Sequence, residues 1–191
     1  MENAKMAETA VGRSLKAKNS RLRKRGYSLV EIAAGLAVVA ILVLGALTLV
    51  SVVNQSRLFT QASNELNVIQ QAVRSLYNGQ SSYANVSPAT LINTKSVPAK
   101  MITGTTLRHA FSGQIDIAAA PAAGGAGSGF QVTFRQIPSD VCVKMLTADL
   151  GRGLYSAGVS SQVGQDGLPF TPTTAASHCS ANYNDVSWVF Y

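Results

Sequence analysis

The hydrophobic pattern of the chain begins with one long apolar run. Residues 32–53 read IAAGLAVVAILVLGALTLVSVV and contain no charged side chain. At about 1.5 Å of rise per residue, a helix over this run is roughly 33 Å long, enough to cross a ~30 Å hydrocarbon layer. The run is longer than the roughly 7–15 apolar residues of a secretory signal, and no small-x-small cleavage site follows it. We therefore predict that it is retained in the mature protein.

A second pattern follows the run without a break. Apolar residues recur every three or four positions, as on one face of a helix. They are Leu58, Ala62, Leu66, Ile69, Val73 and Leu76. Polar residues, among them Gln61, Glu65 and Gln71, are expected to lie off this stripe. The simplest interpretation is one continuous helix over residues 28–78 that ends at Gly79. We predict that its first half, 27–53, lies in lipid or among copies of itself. Its second half, 54–78, then has one apolar face, and that face packs against a globular domain at 79–191.

Alternating polar and apolar residues predict the strands of that domain. Such alternation occurs at 114–117 and 130–137, and a β-rich segment covers 185–191. The Ala/Gly-rich stretch 121–129 between the first two strands predicts a wide turn. The predicted fold class is α+β, with a long N-terminal helix packed on an antiparallel sheet.

Cap and stop residues predict two short helices. One begins at Ser87-Pro88 and ends at Pro98, because serine caps a helix well and proline fits its first turn. The other covers 141–150, with Ser139-Asp140 as its cap and Gly151 as its stop. The Gly/Ser/Thr-rich stretch 156–180 gives no clear pattern, and no element is assigned to it.

Charge is distributed very unevenly along the chain. The net charge is +7 and the pI is 9.7. Residues 1–26 hold eight Lys/Arg and two Glu, a net charge of +6, and the other residues carry only +1. Direct nucleic-acid binding is therefore not expected, since it needs cations clustered on a folded face. The basic segment next to the apolar run instead predicts a cytoplasmic N-terminus and an exported domain.

The chain has two cysteines, Cys142 and Cys179, both in the predicted exported domain. An even count in an oxidising compartment favours a disulfide. The bond closes a loop of about 37 residues and contributes roughly 4 kcal/mol by the chain-entropy treatment. Two buried free thiols are the alternative interpretation.

Candidate chemistry is sparse. His109 and His178 are the only histidines, and no metal-ligand spacing occurs. The glycines at 124–129 lack the lysine and following helix of a phosphate-binding loop. Aromatic residues near the end of the chain fit a strand and a core better than a sugar-binding platform; they are Tyr183, Trp188, Phe190 and Tyr191. We predict no enzyme activity, no metal and no cofactor.

The junction between the basic segment and the apolar run carries the most specific signal. It reads RKRG–YSLVEI, with Gly26 followed by Tyr27 and with Glu31 alone at the head of the run. An acid in this position is costly and indicates a function. The junction resembles that of type IV prepilins. The long leader, the tyrosine after the glycine, the segment 65–83 (ELNVIQQAVRSLYNGQSSY) and the late cysteine pair resemble the type IVb class of bundle-forming, toxin-coregulated and thin-pilus pilins.

This resemblance implies a set of functional residues and partners. A prepilin peptidase cleaves after Gly26 and methylates the new N-terminus at Tyr27. Glu31 pairs with the free amine of Tyr27 in a neighbouring subunit. The implied domains are a cleaved basic leader (1–26), a transmembrane and filament-core half-helix, an amphipathic half-helix and a pilin domain whose C-terminal region is closed by the disulfide. The implied partners are other copies of the chain, the peptidase and an inner-membrane assembly platform with its ATPase.

The function implied is a structural subunit of a pilus used in adhesion, aggregation or conjugation. The protein is expected in the inner membrane before assembly and in a cell-surface filament afterwards. Three alternatives remain open at this point. They are a pseudopilin of a type II secretion system, a minor pilin, and a single-span membrane-anchored binding domain that does not polymerise.

Overall fold

The computed structural model describes residues 28–151, 153–160, 162–164 and 168–191, except the side chains of 46–52 and 162–164. The predicted leader, 1–26, and Tyr27 lie outside the described residues. The chain divides into two compact units, Met1–Ala46 and Leu47–Tyr191. The first unit contributes the beginning of the long helix, and the second contains its remainder and the whole sheet.

The helices and strands follow each other in an α+β order. The helices are α1 (Leu29–Leu76), α2 (Pro88–Asn93), α3 (Ser139–Thr147) and α4 (Pro172–His178), with a 3-10 turn at Ala99–Met101. The strands are β1 (Ile102–Thr103), β2 (Thr106–Arg108), β3 (Gln114–Ala122), β4 (Gly125–Pro138), β5 (Leu154–Val159), β6 (Gln162–Gly164) and β7 (Tyr183–Phe190).

Helix α1 corresponds to the single helix expected over 28–78. Ser28 begins it, since its Oγ accepts from the Val30 N–H at 3.3 Å and its carbonyl accepts from the Glu31 N–H at 2.9 Å. Within the described part of the chain, no helix combines the length and the apolarity that a membrane span requires. The predicted span includes residues 46–52, whose side chains lie outside the described residues, and it stays a prediction.

The second part of α1 packs on the sheet as the apolar stripe predicted. Ala62, Leu66, Ile69 and Val73 are fully buried or nearly so, and they belong to the main core. That core also contains the large side chains of the inner sheet face, which are Phe130, Phe134, Ile137, Trp188 and Phe190. The aromatic residues Trp188 and Phe190 are thus core residues, whereas Tyr183 and Tyr191 are exposed.

The described strands form one antiparallel sheet in the order β1-β2-β3-β4-β7-β5-β6. Strand β7 therefore lies between β4 and β5. Its Trp188 pairs with Val132 of β4 on one side and with Ala157 of β5 on the other. The pairing of β4 with β7 shifts register between Phe134 and Ile137. The extra residue at this point is a β-bulge, which places both Arg135 and Gln136 on the exposed surface.

The wide turn predicted at 121–129 is wrong. Strand β3 continues to Ala122, and β4 already begins at Gly125. Gly129 pairs with Ala120, and a Cβ at Gly129 would lie 2.4 Å from the Phe190 carbonyl oxygen. Gly129 therefore admits a closely neighbouring strand, because its pairing with β3 and its contact with β7 outweigh its low β-propensity.

The two predicted short helices are present with different boundaries. The cap of α2 is confirmed, because Ser87 Oγ accepts from the Thr90 N–H at 3.2 Å. However, α2 ends at Asn93, well before Pro98. The predicted cap of α3 is wrong: Ser139 and Asp140 are its first residues, and the capping position is Pro138, which makes no side-chain cap bond. The stretch 156–180, left unassigned, contains most of β5 together with β6 and α4.

Candidate assembly site

The N-terminal end of α1 places one acid within an exposed apolar surface. Glu31 lies in the first turn of α1 and is exposed. A carboxylate at this end is favoured by the positive end of the helix dipole. Gly26 and Tyr27, the other two residues of the predicted processing and assembly site, lie outside the described residues. Their roles, and the pairing of Glu31, stay predictions.

Apolar side chains surround this part of α1 and nothing in the described residues covers them. Ten large ones are between 49% and 86% exposed. They are Leu29, Val30, Ile32, Leu36, Val38, Val39, Ile41, Leu42, Val43 and Leu44. Burial of one such side chain stabilises a protein by about 1.5–3 kcal/mol. A contiguous exposed surface of this kind marks an interaction site with other proteins or with lipid.

The cysteines close the C-terminal region of the domain. Cys142 on α3 and Cys179 at the end of α4 form a disulfide with a Cα–Cα distance of 5.9 Å and a sequence separation of 37. Both are buried, and the Phe170 N–H, in the segment just before α4, donates to the Leu146 carbonyl of α3. The structure thus has the disulfide that the two cysteines favoured, and it encloses α3, β5, β6 and α4.

A buried carboxylate joins α1 to the turn between β2 and β3. Glu65 is only 4% exposed. Its Oε1 accepts from Gln61 Nε2 and its Oε2 from the Ala110 N–H, both at 2.8 Å. We expected Glu65 to lie off the buried stripe, and this is wrong. The signal was in its spacing, since position 65 is three residues after Ala62 and four before Ile69.

His109, next to this contact, is a buried neutral histidine. Its Nδ1 accepts from the Phe111 N–H at 3.2 Å, so its Nε2, 2.8 Å from the Arg135 carbonyl oxygen, must carry the proton and donate. Its ring stacks on Phe134 with centroids 4.9 Å apart. Burial lowers the pKa of His109, and the nearby Arg108 lowers it further. These contacts hold the turn between β2 and β3 against β4.

A polar cavity of about 420 Å³ lies beside this junction. It is lined by Arg108, Gln114, Arg135, Gln136 and Asp185. Arg135 forms ion pairs with Asp116 and Asp185, and the hydrogen bond that it donates to Asp116 raises the pKa of Arg135. A second cavity of about 540 Å³ lies along α1 and includes Arg57 and Lys100.

The described residues offer little to a catalytic mechanism. They contain no cluster of three or more His, Cys, Asp or Glu side chains able to hold a metal ion. The imidazole of His109 is engaged on both nitrogens, and both thiols are joined in the disulfide. The features that stand out are instead an uncovered apolar helix, a helix-backed antiparallel sheet and a disulfide-closed C-terminal region.

These features define a pilin fold, and comparison with known proteins identifies the family. Residues 57–191 match the family described as PilS N terminal, so the chain belongs to this family of pilins. The resemblance to type IVb pilins indicated by the N-terminal junction is thereby confirmed.

Relatives and solved structures agree with this assignment. The chain is 26% identical over 171 residues to the major structural subunit of bundle-forming pilus of Escherichia coli O127:H6 (strain E2348/69 / EPEC), covering 82% of this chain and 88% of that protein. The subunit from Escherichia coli O111:H- gives the same values. A crystal structure of a type IV b pilin from Salmonella typhi has the same fold, with a TM-score of 0.51, 23% identity and coverage of 68% of this chain and 95% of that one.

Proposed function

We propose that this chain is the precursor of a type IVb pilin that polymerises into a cell-surface pilus through its N-terminal helix. The observation that carries the proposal is the uncovered apolar surface of α1 from Leu29 to Leu44, with Glu31 as its acid. Family membership and the bundle-forming pilus relatives, which are structural subunits, support the same function. A filament buries this surface against the same surface of neighbouring copies.

Processing after Gly26 is the step that makes assembly possible. Each Lys or Arg at the bilayer centre costs about 2.5–3.5 kcal/mol, so the basic leader holds the precursor in the inner membrane. A prepilin peptidase removes the leader and exposes an amine at Tyr27, which the same enzyme methylates. An inner-membrane platform and its cytoplasmic ATPase then extract the subunit. In the filament, the domain that contains the sheet forms the outer surface.

Glu31 sets the register between subunits in this proposal. The carboxylate enters an apolar filament core, where an ion without a partner is very costly. Tyr27 is four residues away, about 6 Å along a helix, so a neighbouring subunit shifted by one turn brings its amine to Glu31. The pair therefore stabilises one stagger and penalises the others.

The test compares Glu31→Gln with Asp140→Asn, a matched loss of an exposed acid on α3. We expect Glu31→Gln to leave the protein cleaved and membrane-associated but to abolish surface filaments, and Asp140→Asn to assemble normally. Immunoelectron microscopy measures filaments, and mass spectrometry of the purified protein measures its N-terminus. Normal filaments from Glu31→Gln would refute the register role. A functional protein that still begins at Met1 would refute the processing scheme.

A further inference from the structure

The cavity of about 420 Å³ beside the bulge in β4 is not used by the assembly surface on α1. It lies within the sheet-containing unit. All five of its lining residues are polar or charged: Arg108, Gln114, Arg135, Gln136 and Asp185. Its volume falls within the range of about 300–1,000 Å³ that is typical of small-molecule sites.

The bulge brings two neighbouring side chains to the same cavity. In a regular strand, consecutive residues point to opposite faces of the sheet, so only one of Arg135 and Gln136 could line it. The register shift between Phe134 and Ile137 lets both do so. Gln136 has a φ of 60°, in the left-handed region that non-glycine residues rarely adopt. The Asp185 Oδ1 accepts from the Gln136 N–H at 3.0 Å and holds this conformation.

Strained backbone that is held in place by its surroundings recurs at functional sites. The surrounding groups are also connected to one another: Arg135 pairs with Asp116 and Asp185, and Gln114 Nε2 donates to Asp116 Oδ1 at 2.7 Å. These contacts orient the side chains of the cavity wall without a ligand, which reduces the entropy lost on binding.

Two lining side chains have unused hydrogen-bonding capacity. Among the described residues, Arg108 forms no ion pair and donates only through one nitrogen, Nη1, to the Ser112 carbonyl at 2.6 Å. Gln136 uses only its backbone N–H, which leaves its side-chain amide free of hydrogen bonds to the described residues. An unpaired guanidinium suits a carboxylate, to which it can donate two parallel bonds. Amides suit hydroxyl groups, because each amide both donates and accepts.

We propose that this cavity binds one anionic sugar residue, with its carboxylate on Arg108 and its hydroxyl groups on Gln136, Gln114 and Asp185. The lack of apolar lining residues disfavours a lipid-like ligand. Arg135 is neutralised by its two aspartates and acts as a positioning residue. This consequence rests on the proposed function: a domain presented by a cell-surface pilus meets acidic polysaccharide directly.

The test measures binding of three probes to the full-length chain in detergent micelles by ligand-observed saturation-transfer NMR. The probes are glucuronate, glucose and acetate. We expect saturable glucuronate binding with a dissociation constant of about 1 mM or tighter. Glucose and acetate should each bind at least about tenfold more weakly, because each offers only part of the recognised chemistry. No saturable glucuronate binding, or acetate binding as tight as glucuronate, would overturn the proposal.

Two variants locate the site. Arg108→Gln should weaken glucuronate binding about ten- to hundredfold. Arg57→Gln, which removes a charge from the other cavity, should leave it unchanged. Gln136→Gly removes the amide and also the strain at φ 60°, so binding should fall while the melting temperature stays equal or rises by about 2 °C. Lys95→Gly, at a similar φ of 52° outside the cavity, should show the same thermal effect with full binding. Unchanged binding in both cavity variants would refute the assignment.

Discussion

Replacing the buried Glu65 tests how α1 is attached to the sheet. In the Glu65→Leu variant the Ala110 N–H and the Gln61 amide lose their acceptors, while the side-chain volume changes little. A hydrogen bond to a charged group contributes about 1.5–3 kcal/mol. Two effects offset part of this loss. Leucine avoids the cost of removing a carboxylate from water, and the exposed Gln61 amide can bond to water instead. We expect a net loss of about 2–3 kcal/mol in the free energy of unfolding.

The assay is urea unfolding of the full-length protein in detergent at pH 7, followed by Trp188 fluorescence. Asn67→Ala, an exposed change two residues along the same helix, should alter stability by less than about 0.5 kcal/mol. The stability of Glu65→Gln should lie between those of Glu65→Leu and the unmodified protein, because the amide oxygen can still accept from the Ala110 N–H. A double-mutant cycle with Gln61→Ala isolates the contribution of the carboxylate–amide contact.

One result would refute this reasoning. If Glu65→Leu unfolds at the same urea concentration as the unmodified protein, or at a higher one, the cost of burying the carboxylate equals or exceeds the value of its two bonds. Buried ions are known to be net destabilising in such cases. Among the described residues no cation forms an ion pair with Glu65, so the outcome depends on the two neutral donors alone.

Two further predictions concern the disulfide and His109. Reduction of Cys142–Cys179 should lower the free energy of unfolding by about 4 kcal/mol, from the 37-residue separation; equal urea midpoints with and without reductant would contradict this. The pKa of His109 is lowered in the folded state, so as the pH falls the unfolded chain binds a proton before the folded chain does. The contribution of neutral His109 to the free energy of unfolding is therefore complete above pH ~6.5. Stability should then fall as the pH drops from about 6.5 towards the folded-state pKa. The measurement is the urea midpoint between pH 8 and 5, with His109→Phe, which should flatten the profile, as the comparison.

The helical half of the fold could be predicted because its signals are local. The spacing of Leu66, Ile69 and Val73 indicates the buried face of α1 directly, and Ser87-Pro88 indicates the start of α2. The conformation of the glycine-rich stretch 121–129, by contrast, was predicted wrongly as a turn. Gly129 lies against Phe190 of β7, a strand distant in sequence, and no local pattern contains that contact.

The polar residues also differ in how clearly the sequence indicates them. Glu31 stands out because it is an acid in an apolar run, and no structure is needed to notice it. Gln136 is different, since its role comes from a bulge. A trace of it exists in the sequence, because the apolar positions Phe134 and Ile137 are three residues apart in a strand whose period is two. Arg108 has no such trace, because only the fold brings it beside Gln136.

The central position of β7 has a consequence for how the domain is made. Residues 183–190 fill the gap between β4 and β5, and they are the last strand to emerge during synthesis or translocation. Until then the sheet exists as two separate parts, and each has an unpaired edge that invites aggregation or chaperone binding. Cys142 and Cys179 both precede β7, so oxidation can close that region first and hold β5 ready to pair with β7 when β7 inserts. A stalled chain that has released only the first 180 residues is thus an oxidised, aggregation-prone intermediate, recognisable to quality-control proteases.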